Sequence, residues 1–156
     1  MINMSSCKNI FIYYYIIIYR MIGGKKKLIA KNSISKNFIK LEFPDIIVSQ
    51  CEYSEGPCGL TYIFCESGIR VYKEQRGGNN CQLDVLGNGW KNIIRGINIS
   101  GGASYGLEST CGISAAFLKD KKDFTFSGIN GSVIYSHNLR VNKIYPDKKL
   151  GKFAYR

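Results

Sequence analysis

The sequence predicts a mixed α/β fold, a sheet partnered by helices, and three observations predict it. The first is the stretch Ile93 to Leu118, a β-branched apolar run that breaks at Gly101-Gly102 and resumes with helical spacing. The second is a set of short apolar segments upstream, Leu41 to Ser49, Leu60 to Glu66 and Ile69 to Glu74, separated by turn residues. The third is a pair of short strand-like segments downstream, Phe124-Thr125-Phe126 and Ser132 to Ser136, followed by a helix start at Tyr145-Pro146-Asp147. The order β-β-β, then β-α-β, describes an α/β (α+β) layer architecture. With 156 residues, 45% hydrophobic and 21% charged, the chain can bury one core and is too apolar for a disordered segment.

Residues 1–20 contain the apolar run Ile10 to Tyr19, shorter than the ~20 residues a membrane-spanning helix needs. No small-residue cleavage site follows it, and Met21 offers a second start. Residues 1–20 are therefore expected to be an untranslated upstream extension, with an interfacial anchor as the alternative. Residues 21–40 carry Lys25, Lys26, Lys27, Lys31, Lys36 and Lys40 around Gly23-Gly24 and are expected to form a loose basic arm. Residues 41–156 are then the folded part.

Within it, Leu41 to Ser49 reads as a strand that Pro44 confines to an edge or an early position. Glu55-Gly56-Pro57 is a turn. Leu60 to Glu66 and Ile69 to Glu74 read as a β-hairpin closed at Ser67-Gly68. Residues 76–80 form a loop, and 81–92, with Trp90, show no clear period. Ile93, Ile94, Ile97 and Ile99 suit a buried strand, and Gly101 and Gly102 allow the tight turn after it. Ser104 is the expected helix N-cap, with Glu108 near the positive end of the helix dipole. Leu107, Cys111, Ala115 and Leu118 share one face and are expected to be buried. Gly106 and Gly112 would each cost an isolated helix about 1 kcal/mol, which points to another backbone lying close. Asp147 is a candidate cap for the last helix.

The formal net charge is +11, from 22 Lys+Arg against 11 Asp+Glu. Much of the excess lies in the basic arm and at the C-terminal end, and no aromatic-basic recognition pattern accompanies it, so nucleic acid is not an expected partner. The six cysteines form no C-x-x-C pair, and the lone histidine, His137, supports no metal cluster. Cys65 and Cys111 read as buried small residues, and free thiols fit a cytoplasmic location.

The motif GGASYG, residues 101–106, is not a P-loop, because Leu107-Glu108 stands where Lys-Ser/Thr is required, and it does not have the G-x-G-x-x-G spacing. It does contain G-x-S-x-G between a predicted strand and a predicted helix, the setting of a nucleophile elbow at Ser104. His137 follows too closely for the usual layout of that fold, so a structural turn built from Gly101, Gly102, Ser104 and Gly106 is the stronger reading. A non-catalytic basic binding module and a degraded gene product are the alternatives to an enzyme.

The block SGGASYGLE resembles a signature of the P1 peptidase family, the DmpA-like N-terminal-nucleophile hydrolases. So do LEFPDIIVSQCEYSEGPCGLT (41–61), EQRGGNN (74–80), GSVIYSHNLR (131–140) and YPDKKLGKFA (145–154), in the same order. The last block is most similar to the branch that hydrolyses 6-aminohexanoate (nylon) oligomers. The resemblance implies part of an αββα sandwich and amide-bond hydrolysis with no metal or organic cofactor. It implies a Ser or Thr nucleophile at a self-generated N-terminus, downstream of Arg156, rather than Ser104. It implies two site residues here: Tyr135, as a hydrogen-bond donor to the oxyanion, and Lys148, as an electrostatic neighbour of the active site. The implied partners are a small peptide or amide-oligomer substrate, a C-terminal β portion, and further αβ units in a homo-oligomer, with no stable membrane span.

Overall fold

The computed structural model describes residues 28–32, 43, 45–56, 58–72, 74, 76, 80–81, 93–121, 127–136 and 141–155. Expectations for residues 1–20, Trp90, Phe124-Thr125-Phe126 and His137 fall outside them. Six strands form one mixed sheet: β1 (Ala30–Asn32), β2 (Ile46–Tyr53), β3 (Gly59–Arg70), β4 (Asn80–Cys81), β5 (Ile93–Ser100) and β6 (Ile129–Val133). Their spatial order is β1-β2-β3-β5-β6-β4. Two helices follow the glycine turn: α1 (Leu107–Asp120), entered through a 3-10 turn at Ala103–Gly106, and α2 (Lys148–Ala154). The predicted mixed α/β class is the one observed. Among the described residues there is a single sheet, where the sequence reading expected parts of two.

β2 and β3 form an antiparallel hairpin around the expected turn, where the Gly56 N–H donates to the Tyr53 carbonyl and the Cys58 N–H to the Gly56 carbonyl. β5 and β6 are parallel, and α1 lies in the connection between them, a β-α-β crossover. The basic arm is not loose throughout: Ala30–Asn32 pairs with β2 as an edge strand. The hairpin expected at Ser67-Gly68 does not form. β3 runs straight through to Arg70, and Gly68, at φ +81°, takes up a bulge where the register against β5 shifts between Phe64 and Ile69. A glycine in left-handed backbone serves a bulge as readily as a reversal, and pairing with β5 on the far side decides between them.

Both helices cover one face of the sheet. The core joins Cys51 and Tyr53 of β2, Leu60 and Tyr62 of β3 and Ile129 of β6 to Ile113 and Phe117 of α1 and Leu150 and Ala154 of α2. The rings of Phe64, Phe117 and Tyr155 close one end of this core edge-to-face, with centroids 6.2–6.3 Å apart. The two helices cross where Gly112 lies on the backbone of Lys148 and Gly151 lies on the carbonyl of Ser109, contacts that leave no room for a Cβ on either side.

Two expectations about burial are corrected here. Of the β5 isoleucines only Ile94 is buried, while Ile97 and Ile99 lie on the sheet face away from the helices, 36% and 38% exposed. Side chains alternate along a strand, and the helices take the face that carries Asn98 and Ser100. On α1 the buried residues are Ser109, Thr110, Gly112, Ile113 and Phe117, whereas Cys111 and Ala115 are exposed and Leu118 is 57% exposed. The apolar stripe chosen from the sequence is thus the outer face of the helix.

Candidate active site

β5 ends at Ser100, and the chain then reverses through Gly101-Gly102. Gly102 sits at φ 94°, ψ 14°, in left-handed backbone that a side chain resists. A Cβ there would also lie 2.8 Å from the Tyr145 Cβ and 3.3 Å from the Pro146 Cδ, so the position excludes other residues twice over. Ala103 follows at φ 53°, an uncommon value for a residue with a Cβ. Gly106, as expected from the sequence, meets another backbone, the carbonyl of Gly101.

The turn is held from below by buried polar side chains. Ser100 Oγ and Ser109 Oγ both donate to the Gly106 carbonyl, at 2.9 and 2.7 Å. The fully buried Asn98 donates through Nδ2 to Ser109 Oγ at 2.8 Å and to Thr110 Oγ1 at 2.9 Å. Its Oδ1 has no partner among the described residues. The cap expected from Ser104 does not form. Gly102 precedes the 3-10 turn and Gly106 precedes α1, and no side-chain cap bond forms at either point. Ser104 lies inside the 3-10 turn and is exposed. A 3-10 entry moves the start of the α-helix three residues past Ser104, beyond the reach of its hydroxyl.

Two downstream segments flank the turn. On one side the Ile134 N–H donates to the Ser100 carbonyl at 2.8 Å and the Ala103 N–H to the Ile134 carbonyl at 3.2 Å. The Gly102 N–H donates to Ser136 Oγ at 3.1 Å. Tyr135, between these anchored neighbours, is 66% exposed. On the other side Tyr145 and Pro146 cover Gly102. The Tyr145 phenol donates to Glu108 Oε2 at 2.9 Å, and its ring lies 5.7 Å from that of Tyr105. That hydrogen bond, and after it burial, holds the Tyr145 phenol above its usual range.

Asp147 caps α2 as expected, its Oδ1 accepting from the N–H groups of Lys149 and Leu150 at 2.9 and 3.0 Å. The same oxygen accepts from the Tyr53 phenol at 2.5 Å, tying the cap to β2. Lys148 is the first residue of α2: its backbone lies on Gly112 of α1 and its side chain is exposed. Tyr135 therefore lies between two residues hydrogen-bonded to the turn, and Lys148 lies two residues after Pro146, which packs on Gly102. Arg76 pairs with Glu74 at the surface. Asn98, Ser100, Ser109 and Ser136 were missed from the sequence. The one signal for the first two is the polar alternation in the run Ile97-Asn98-Ile99-Ser100. No group of three or more His, Cys, Asp or Glu side chains able to hold a metal occurs among the described residues.

No family model matches the chain. Individual proteins do. Over 132 residues, 81% of this chain, it is 33% identical to a protein from Kocuria sp. (strain KY2) named 6-aminohexanoate-oligomer endohydrolase. Proteins of the same name from Agromyces sp. (strain KY5R) and Paenarthrobacter ureafaciens are 33% and 32% identical over 78% of the chain. The chain is a distant relative of these hydrolases. It spans about a third of their length, with the matched part covering 36%, 34% and 34% of the three proteins. The names describe amide-bond hydrolysis and agree with the branch that the YPDKKLGKFA block resembles. No helix among the described residues is long and apolar enough to cross a membrane.

Proposed function

We propose that this chain forms the N-terminal, α-chain part of an amide hydrolase of the P1 type, acting on 6-aminohexanoate oligomers or short linear amides of like shape. The observation that carries the reading is similarity running through four fifths of the chain to proteins named for that reaction. The layout supports it, because the segments bearing Tyr135 and Lys148 both contact the glycine turn. In this reading a Ser or Thr at a self-generated N-terminus, in the part of the relatives' length that this chain does not span, attacks the amide carbonyl. Its own α-amine takes the hydroxyl proton. The Tyr135 phenol donates to the oxyanion as it forms. The Lys148 ammonium attracts a carboxylate end of the oligomer. Collapse of the tetrahedral intermediate expels the amine, and water then releases the acyl group.

The open face of the sheet belongs to the same proposal. Ile97 and Ile99 on β5 lie beside Ile63 and Thr61 of β3, with Val48 of β2 opposite Ile63, a largely apolar surface that carries no helix among the described residues. A second sheet laid there, about 10 Å away, would complete an αββα sandwich. The test is co-expression of this chain with the remaining two thirds of one of the relatives, followed by assay of a linear 6-aminohexanoate oligomer. Turnover is expected from the pair and not from the chain alone. Tyr135→Phe should lower kcat by about 10²-fold or more, as loss of an oxyanion donor does. Turnover by the lone chain that is abolished by Ser104→Ala would overturn the proposal in favour of a nucleophile elbow.

A further inference from the structure

α2 is seven residues long, from Lys148 to Ala154. A helix of two turns does not hold itself in water, so its first turn takes its place from tertiary contacts. Three such contacts are in view. The Lys148 backbone lies on Gly112 of α1, and Gly151 lies on the Ser109 carbonyl. Leu150 is fully buried, and its carbonyl accepts from the Cys51 thiol of β2 at 3.8 Å. At the helix start, Asp147 Oδ1 accepts from the N–H groups of Lys149 and Leu150 and from the Tyr53 phenol. The first contact is van der Waals packing and the second a weak thiol bond, and both tolerate some rotation of the helix. The third is directional and charge-assisted, so it sets the rotation.

Tyr53 has the properties of a fixed anchor. It is the last residue of β2 and 3% exposed. Its backbone pairs with Ala30 of β1, and its carbonyl accepts from the Gly56 N–H. Burial, and after it the hydrogen bond to Asp147, hold the phenol above its ordinary value, so it keeps its proton and donates it to the carboxylate. The bond spans 94 residues and joins the sheet to the residue directly before Lys148.

We infer that Tyr53 is a positioning residue for Lys148: through Asp147 it locks the first turn of α2 and so fixes the direction in which the lysine leaves the helix. Tyr53 is buried and touches no substrate. Without its phenol the Asp147 carboxylate turns more freely, the two capped N–H groups lose their acceptor part of the time, and the first turn frays. Lys148 is the first residue of that turn, so its ammonium then sweeps a wider arc. The inference rests on the proposed role of Lys148 in attracting the carboxylate end of the oligomer.

The test has two arms and uses Tyr53→Phe, which removes the hydroxyl and keeps the ring in the core. The first arm is hydrogen exchange on the full chain. Protection of the Lys149 and Leu150 amides should fall by about tenfold, while the β3–β5 ladder keeps its protection. The second arm uses the chain complemented with the remaining part of a relative. Two substrates are compared, a linear 6-aminohexanoate trimer with a free carboxylate and the same trimer capped as a carboxamide. Lys148→Met should raise KM for the free acid by about tenfold and leave the capped trimer unaffected, as loss of a hydrogen bond between charged groups does. Tyr53→Phe should raise KM for the free acid alone, by about threefold or more, and should add nothing to Lys148→Met in the double variant. Tyr53→Thr would disturb the core, so it is no substitute for the phenylalanine variant. Unchanged protection of the two amides overturns the inference, whether or not the complemented enzyme turns over. So does a Tyr53→Phe effect that is equal for both substrates or additive with Lys148→Met, since a merely structural role would give either. Lys148→Met that ignores the end group instead overturns the assigned role of Lys148, and the inference falls with it.

Discussion

Replacing Gly112 with alanine separates local propensity from tertiary contact. In an exposed helix interior the added methyl would stabilise by about 1 kcal/mol. Here it would point at α2. Its carbon would lie 2.9 Å from the Lys148 Cα and 3.0 Å from the Lys148 carbonyl carbon, with the carbonyl oxygen closer still. Ordinary carbon–carbon contacts are about 3.5–4.0 Å, so the helices would have to separate by roughly 1 Å. The obstacle is backbone, which no side-chain rotation relieves. Overpacking of this kind costs about 1–3 kcal/mol, and the upper end applies because Leu150 and Ala154 would shift with α2. After the propensity gain, a net loss of about 2 kcal/mol is expected. Urea denaturation should show a lower midpoint with an unchanged m-value. Ala115→Gly on the exposed face of the same helix calibrates propensity alone and should cost about 1 kcal/mol. A midpoint raised by Gly112→Ala would refute the reasoning, since it would mean that the two helices do not touch there.

Ser104→Ala should change stability by less than about 0.5 kcal/mol, because the hydroxyl makes no cap bond, and a complemented enzyme should lose less than tenfold in rate. Labelling of Ser104 by a fluorophosphonate would contradict this. Asp147→Ala should destabilise by about 2 kcal/mol, since one carboxylate oxygen serves two backbone N–H groups and the Tyr53 phenol; Asp147→Asn, which keeps an acceptor, should recover part of the loss in the same urea titration. Stability should fall at alkaline pH. Burial pushes the Cys51 thiol up to about 12 and raises the Tyr53, Tyr62 and Tyr155 phenols above their ordinary value. Each contribution is complete below the unfolded-state value, 9.0 for the thiol and 10.0 for the phenols, and is lost as pH rises through the folded-state value. Urea midpoints followed with phenolate absorbance should decline above about pH 9, and a midpoint flat to about pH 11 would count against the burial.

The parts of the fold that were legible in the sequence are those fixed by local geometry. Gly101-Gly102 announced a turn because few residues tolerate left-handed backbone, and Asp147 announced a helix start because its side chain reaches the N–H groups two and three residues on. The misread parts depend on contacts distant in sequence. Ile97 and Ile99 look like core residues until the helices are seen to cover Asn98 and Ser100. Cys111 and Leu118 look like an inner stripe until α2 is seen to require Gly112 and Ser109 at its crossing. Ser67-Gly68 looks like a hairpin turn until β5 pairs beyond it. Of the candidate site, Tyr135 and Lys148 came only through family resemblance, since no local signal separates them from other surface residues. Ser136 carried no signal at all, because its role is set by a hydrogen bond spanning 34 residues.

The polar underside of α1 ties the helix start to β5. An apolar seam between β5 and α1 would hold the helix by area alone and leave its first turn to a capping side chain. Here Ser100 and Ser109 converge on the Gly106 carbonyl, and Asn98 fixes Ser109 and Thr110 from the middle of the strand. Hydrogen bonds are directional where dispersion contacts are not, so this seam sets the rotation of the helix as well as its distance from the sheet. That rotation places Gly112 under Lys148, and the Gly112 crossing in turn places the start of α2. The 3-10 turn between Gly102 and Leu107 carries no side-chain cap bond, and Ser104 and Tyr105 on it are exposed. A site built on that surface would have its geometry set by residues that never touch a substrate.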